Sequence, residues 1–265
     1  MKNNLRIVTD FITFFFLFIF FTFSSYVLAQ TTRPTLQSLQ NQINCLTTPT
    51  VVKHLQAINH GWYNNAGGAR VAPTDGIVAY IAGKNTFQDI TNIYRNFFVF
   101  DLRSILPENY STPFSKRVEV VVARLIPYNP AIGYKNESGD TLTYVLNRVN
   151  NINNLIDGAG GLSTYTDLAD GPTYGSYVAS QNNNNHQAEP IHLNHTAVYD
   201  INRVLRFGYS EDDYRFAVGG TIIGFNDLAD DQFLFGSSGE NQYVRSLELY
   251  IRYPDASCPE PDLLP

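Results

Sequence analysis

Flat aromatic rings set among amides and carboxylates are the groups in this chain best suited to chemistry. Trp62 and Tyr63 lie in Gly61-Trp-Tyr-Asn-Asn-Ala-Gly-Gly68, a turn-rich stretch that would expose them. Tyr165, Tyr174 and Tyr177 fall in a Gly- and Asn-rich region beside Asp167, Asp170 and Asn182. Sugar C–H faces stack on such rings while amides and carboxylates bond the hydroxyls, so these five aromatics are the candidate ligand-binding set. Core packing is the competing use of the same side chains.

Acidic loops are a second candidate. Asp167-Leu-Ala-Asp170-Gly171 and Asp227-Leu-Ala-Asp230-Asp231 share a string, and clustered carboxylates with backbone carbonyls suit Ca²⁺, with Asp167 and Asp170 as ligands and Asp157 or the Gly-rich loop nearby as further ones. Neither string has the EF-hand spacing, and solvated turn acids are the simpler reading. Five histidines, His54, His60, His186, His192 and His195, complete the titratable set. On a strand His192 and His195 would point to opposite faces, a poor arrangement for a shared zinc. The sequence has no Gly-x-Ser-x-Gly elbow, phosphate loop or dinucleotide fingerprint, which favours binding over catalysis.

Lys2 and Arg6 precede a thirteen-residue apolar run, Phe11 to Phe23, and the small-residue site Val27-Leu28-Ala29 follows it. That layout predicts a signal peptide over residues 1–29, too short to span a bilayer, and so a secreted, periplasmic or cell-surface protein with no membrane span after cleavage. In an oxidising compartment the two cysteines, Cys45 and Cys258, near the two ends of the remaining chain, predict a disulfide closing a loop of over two hundred residues. Asn109, Asn136 and Asn194 begin glycosylation sequons, which matter only in a glycosylating host. The net charge of −6 argues against nucleic acid and favours neutral or cationic partners.

The elements that must position these residues are mostly strands. Residues 30–59, with Leu36, Leu39 and Ile43 at helical spacing, read as a short N-terminal helix, stalk or linker. Apolar runs at 77–82, 95–102, 118–127, 141–149, 174–179, 191–194, 216–225, 232–235 and 246–253 then read as strands separated by turn residues. Nine such runs predict an all-β, jelly-roll-like antiparallel sandwich over 60–254, followed by a tail, 255–265. In the last strand Leu247, Leu249, Ile251 and Tyr253 would face the core, with Glu248, Tyr250 and Arg252 outward. Phe97-Phe98-Val99-Phe100 does not alternate and reads as a central strand covered on both faces. Residues 147–156 could instead make a helical turn, and 129–190 are expected to be long loops decorating one end.

Tyr94-Arg-Asn-Phe-Phe-Val-Phe-Asp-Leu102, Ile105-Leu-Pro107, the strand from Val118 to Leu125, Ile191-His-Leu-Asn194, Phe216-Ala-Val-Gly219, Phe235-Gly-Ser-Ser238 and Ser246-Leu-Glu-Leu-Tyr-Ile-Arg-Tyr253 together resemble secreted bacterial DNRLRE-type carbohydrate-binding modules. They are also similar to exported β-sandwich proteins of cyanobacterial type. The resemblance spans residues 60 to 254 in outline and departs from the family at 129–190. It implies a jelly-roll sandwich that binds polysaccharide or cell-surface glycan. The expected function is therefore non-catalytic polysaccharide binding. The alternatives are a structural or adhesive protein with an envelope-protein partner, and a glycan hydrolase or lyase whose carboxylate pair would emerge only in the fold.

Overall fold

The computed structural model describes residues 50–73, 79–106, 118–129, 133–210, 212–236 and 245–253. Two antiparallel sheets face each other, as the strand spacing predicts. The smaller has the order β1 (Val51–Gln56), β13 (Arg245–Arg252), β6 (Glu119–Pro127), β10 (Ile191–His192). The larger runs β7 (Lys135–Asn136), β12 (Gln232–Leu234), β4 (Ala82–Phe87), β5 (Ile90–Asp101), β11 (Arg215–Ile223), β8 (Leu142–Arg148), β9 (Thr173–Ala179). A hairpin of β2 (Asn59–Asn64) and β3 (Ala69–Pro73) adds to it through β5.

Strand β5 carries the Phe-Phe-Val-Phe run, and each of its faces is buried for a different reason. Phe98 and Phe100 point inward with Phe216 and Val218 of β11, and meet Leu125, Leu247, Leu249 and Ile251 from the smaller sheet. Phe97 and Val99 point outward and are covered by α1 (Ile152–Asp157) and α2 (Leu162–Asp170), whose Leu155 and Leu168 complete a second core with Tyr63 and Ala217. A strand covered on both sides has no polar face to show, hence the uninterrupted apolar run. In β13 the expected alternation holds, with Leu247, Leu249 and Ile251 fully buried.

Two adjacent glycines of β11 make this double coverage possible. A Cβ at Gly219 would lie 2.4 Å from the Leu168 carbonyl oxygen, so α2 rests directly on the strand backbone. At Gly220 it would lie 2.0 Å from the Tyr144 hydroxyl on the opposite face. That hydroxyl donates to Asn96 Oδ1 at 2.7 Å, and Asn96 Nδ2 donates to the Tyr80 carbonyl at 2.7 Å. The buried phenol and amide are thereby hydrogen-bonded inside the core.

A third helix, α3 (His195–Phe207), starts on Asn194, whose Oδ1 accepts from Ala197 N and whose Nδ2 donates to Thr173 O. Ala197, Ile201 and Leu205 form its buried stripe. Asn202 binds both the N–H (2.8 Å) and the carbonyl (2.9 Å) of Val120, a side-chain clamp on the end of β6.

Several expectations need correction. Residues 51–56, expected as linker, form β1, and every residue of that strand pairs with β13. Residues 129–190 hold, besides the expected strands β8 and β9, the unexpected β7, α1 and α2 in place of long loops, with the helices serving as the cover of the outer core. The helical alternative at 147–156 is resolved into both, since β8 continues to Arg148 and α1 begins at Ile152. Signal, stalk, Cys45, Cys258, Asn109 and the tail lie outside the described residues.

Gly219→Ala is expected to cost about 3 kcal/mol, because the helix and strand backbones cannot separate without opening both cores. Urea denaturation of the variant against the parent chain measures it, and a loss below about 0.5 kcal/mol would contradict direct backbone packing.

Candidate functional site

The five predicted aromatics do not share a surface. Tyr63 is fully buried; its hydroxyl donates to Asn154 O at 2.7 Å, joining β2 to α1, and burial, with Asp157 adding to it, pushes its pKa up to about 12. Tyr174 is also buried, stacked on Phe216 with centroids 5.7 Å apart, and donates to Asp200 Oδ2 at 2.7 Å. Tyr165, half-buried on α2, lies under the Arg95 guanidinium, 4.0 Å from the ring centroid. Tyr177 is half-buried with its hydroxyl on Asn183 Oδ1. Trp62 is also half-buried, on the inner face of the larger sheet and edge-on to Tyr94 at 5.0 Å. The insertion tyrosines are therefore mainly packing residues, and the reading of Tyr63 and Tyr174 as sugar platforms is corrected by their burial.

The acids are likewise occupied. Asp167 accepts from the backbone N–H of Asn150 (3.1 Å) and Asn151 (2.8 Å) and from Asn150 Nδ2 (2.8 Å), which ties α2 to the start of α1. Asp170 is exposed at the end of α2. Among the described residues no group of three or more His, Cys, Asp or Glu converges on one point. In the second Asp-Leu-Ala-Asp string the working carboxylate is Asp231, which accepts from Thr86 N, Asn85 Nδ2 and Lys135 Nζ at 2.8, 3.0 and 2.5 Å. His60 is buried, while His192 and His195 are exposed on β10 and α3.

The structure assembles a different site. A cleft of about 620 Å³ opens between the end of β8, the start of β11 and the C-terminal part of α3. Arg148, Arg203 and Arg215 line it together with Asp200 and Asp213. Asp200 is held from below by the Tyr174 hydroxyl, and its Oδ2 stands 3.9 Å from Arg148 Nη1. Arg215 pairs with Asp212 at 2.6 Å. Asp213 is taken up by the N–H groups of Ser210 (2.8 Å) and Tyr209 (3.2 Å), and those backbone bonds lower its pKa. Among the described residues Arg203 has no ion-pair partner. Phe207 and Tyr209 stand at the rim, 55% and 77% exposed.

This arrangement offers guanidinium donors beside open aromatic surface, suited to an anionic oxygen ligand with an apolar face. Sequence reasoning missed it because Arg148 comes from the distant strand β8 while Asp200, Arg203, Asp213 and Arg215 come from α3, the turn after it and the start of β11, and only the fold brings the two together. The one local signal was the stripe Ala197, Ile201, Leu205, which marks α3, buries Asp200 beside it and leaves Arg203 and Phe207 off its buried face.

No protein-family model matches the chain, and no curated protein is significantly similar to it.

Two predictions concern the carboxylates. Burial raises the Asp231 pKa, but hydrogen bonds from Lys135 and from the Thr86 N–H prevail and hold it below the ordinary value. A lowered folded pKa means that its stabilisation is complete above the unfolded carboxylate value near pH 4 and is lost as pH falls through the folded one. Asp231→Asn should cost about 2 kcal/mol at pH 7 and little near pH 2, as read from urea midpoints across that range; a pH-independent loss would contradict the ionic role. Asp167→Ala should cost about 1–2 kcal/mol by leaving two backbone donors at the head of α1 without their acceptor, seen as a lower melting temperature.

Proposed function

We propose that this is an exported, non-catalytic β-sandwich that binds extracellular polysaccharide carrying carboxylate groups, with the arginine-lined cleft as its site. The observation that carries the reading is Arg203, without an ion-pair partner among the described residues, beside the exposed rings of Phe207 and Tyr209 in one open cleft. A guanidinium binds a carboxylate through two parallel N–H bonds, and the rings supply stacking for the sugar faces. The signal-like residues 1–29 and the resemblance to DNRLRE-type modules support the same reading.

The overall charge of −6 opposes polyanions at long range, but that opposition is weak beyond a Debye length of about 8 Å at physiological salt. Contacts inside the cleft are shorter than this, so local guanidinium groups decide the sign there. The paired acids reduce the field without filling the site: Asp212 is drawn to Arg215 and Asp213 to backbone N–H groups.

Native affinity electrophoresis in gels containing polyuronates or neutral polysaccharides tests the proposal. Retardation by a polyuronate, weakened at least tenfold in Arg203→Ala and in Tyr209→Ala and reduced by added salt, is expected. Absence of retardation by every polyuronate would refute it, whatever the neutral polysaccharides do.

A further inference from the structure

At the opposite end of β5 the inner face of the larger sheet emerges from under the smaller sheet. Pairing register fixes which side chains share that face. Trp62 is opposite Asn96, and Tyr94, two residues earlier on β5, has its ring against Trp62 at 5.0 Å. Asn92 pairs with Asn85 and Ile90 with Phe87, so the same face continues as a ring pair, an amide pair and an apolar pair. From Tyr94 to Ile90 these rows span about 14 Å of strand, long enough for a short oligosaccharide.

The strip is partly open to solvent, with Trp62, Asn85, Asn92 and Tyr94 half-buried. Phe87 and Ile90 are 70% and 63% exposed on a tight turn made by Gln88 and Asp89, both with positive φ. Among the described residues neither Trp62 Nε1, Tyr94 Oη nor the Asn92 amide has a hydrogen-bond partner. Asn85 spends one N–H on Asp231 and keeps its carbonyl oxygen. None of the six side chains carries charge. The charged groups beside the strip are engaged or stand at its end: Lys84 Nζ donates to Asn226 O at 2.7 Å, Asp231, which accepts from Asn85, is paired with Lys135, and Asp89 is exposed in the turn.

We infer that this strip is a second saccharide site, for a neutral glycan chain laid along β5, with Trp62 and Tyr94 stacking at one end, Phe87 and Ile90 packing at the other and the amides bonding hydroxyls between them. Alternating apolar faces and neutral hydrogen-bonding groups complement an uncharged sugar polymer, which has both and no charge to pair. A charged partner would leave its charge desolvated against rings and aliphatic side chains. The site shares only its ligand class with the function proposed above. It is separate in space, because Arg215 at the cleft is in register with Asp101, seven residues and about 24 Å along β5 from Tyr94.

Trp62 is the only tryptophan of the chain, so its emission reports this site directly. The full chain is titrated with soluble mixed-linkage β-glucan, galactomannan and arabinoxylan, and its retardation by polyuronate is recorded in parallel. A change in Trp62 emission with at least one neutral polymer is expected. Phe87→Ser combined with Ile90→Ser, a change at exposed positions, should weaken that response at least fivefold with an unaltered melting temperature. Arg203→Ala should leave it unchanged. Constant emission with all three polymers, or a double variant that responds like the parent, overturns the inference. Loss of polyuronate retardation alone would remove the cleft reading and leave this one standing.

Discussion

Close approach of backbone to backbone at Gly219 is the constraint on which the rest of the structure depends. Strand β11 has to accept a helix on its outer face while its inner face contributes to the sandwich core, and no side chain at that position fits beneath the Leu168 carbonyl. With α2 seated there, Leu168 and Leu155 cover Phe97 and Val99, and the Asn96–Phe100 stretch of β5 has no solvent face. Gly220 does the complementary task inward, leaving room for the hydroxyl of Tyr144 to reach Asn96. The two glycines also explain why a polar pair can persist in an otherwise aromatic core: space and partners are supplied together, so desolvation is compensated.

Because β5 is fixed on both faces, its two ends present surfaces of different character on one rigid scaffold. Near Asp101 the sheet meets α3 and gathers arginines and acids. Near Ile90 one face carries rings, amides and aliphatic groups, with Asp89 in the turn and Asp231 against Asn85 as the neighbouring charges. Loops built on such a support hold their side chains in place at lower entropic cost than loops built on each other. Asp231 illustrates how that end is kept in shape: its carboxylate fastens the loop before β12 to the edge of β4 and at the same time anchors Lys135.

The strand framework was legible in the sequence where pattern and burial agree. In β13 strict alternation marks one buried face, and in β5 its absence marks two. Strand β1 was not legible, since Val-Val-Lys-His-Leu-Gln shows little alternation and only Leu55 is buried. Helix α2 was hidden because only Thr164 and Leu168 are buried on it, so the stripe that identifies a surface helix is narrow. The aromatics misled for a related reason. A tyrosine between glycines reads as exposed, yet Tyr63 and Tyr174 have hydroxyls that find Asn154 and Asp200 and so can be buried whole. Trp62, expected to be exposed by a turn-rich stretch, is half-buried on β2, and its neighbours on the sheet, Tyr94 and Asn92, follow from strand register, which no local pattern encodes.

The position of β13 has a consequence for how the molecule is made. It lies between β1 and β6, so the first and last described strands are direct neighbours, and the smaller sheet has no interior until the final strand arrives. Such a topology has a high mean sequence separation between contacts, which slows folding because distant segments must meet before burial rewards them. During synthesis the larger sheet can pair progressively, while the edges of β1 and β6 stay unsatisfied until residue 252 has left the ribosome. A chain ending short of β13 would thus lose more than one strand. It would expose two pairing edges and the apolar inner face of the larger sheet at once, the combination most prone to aggregation.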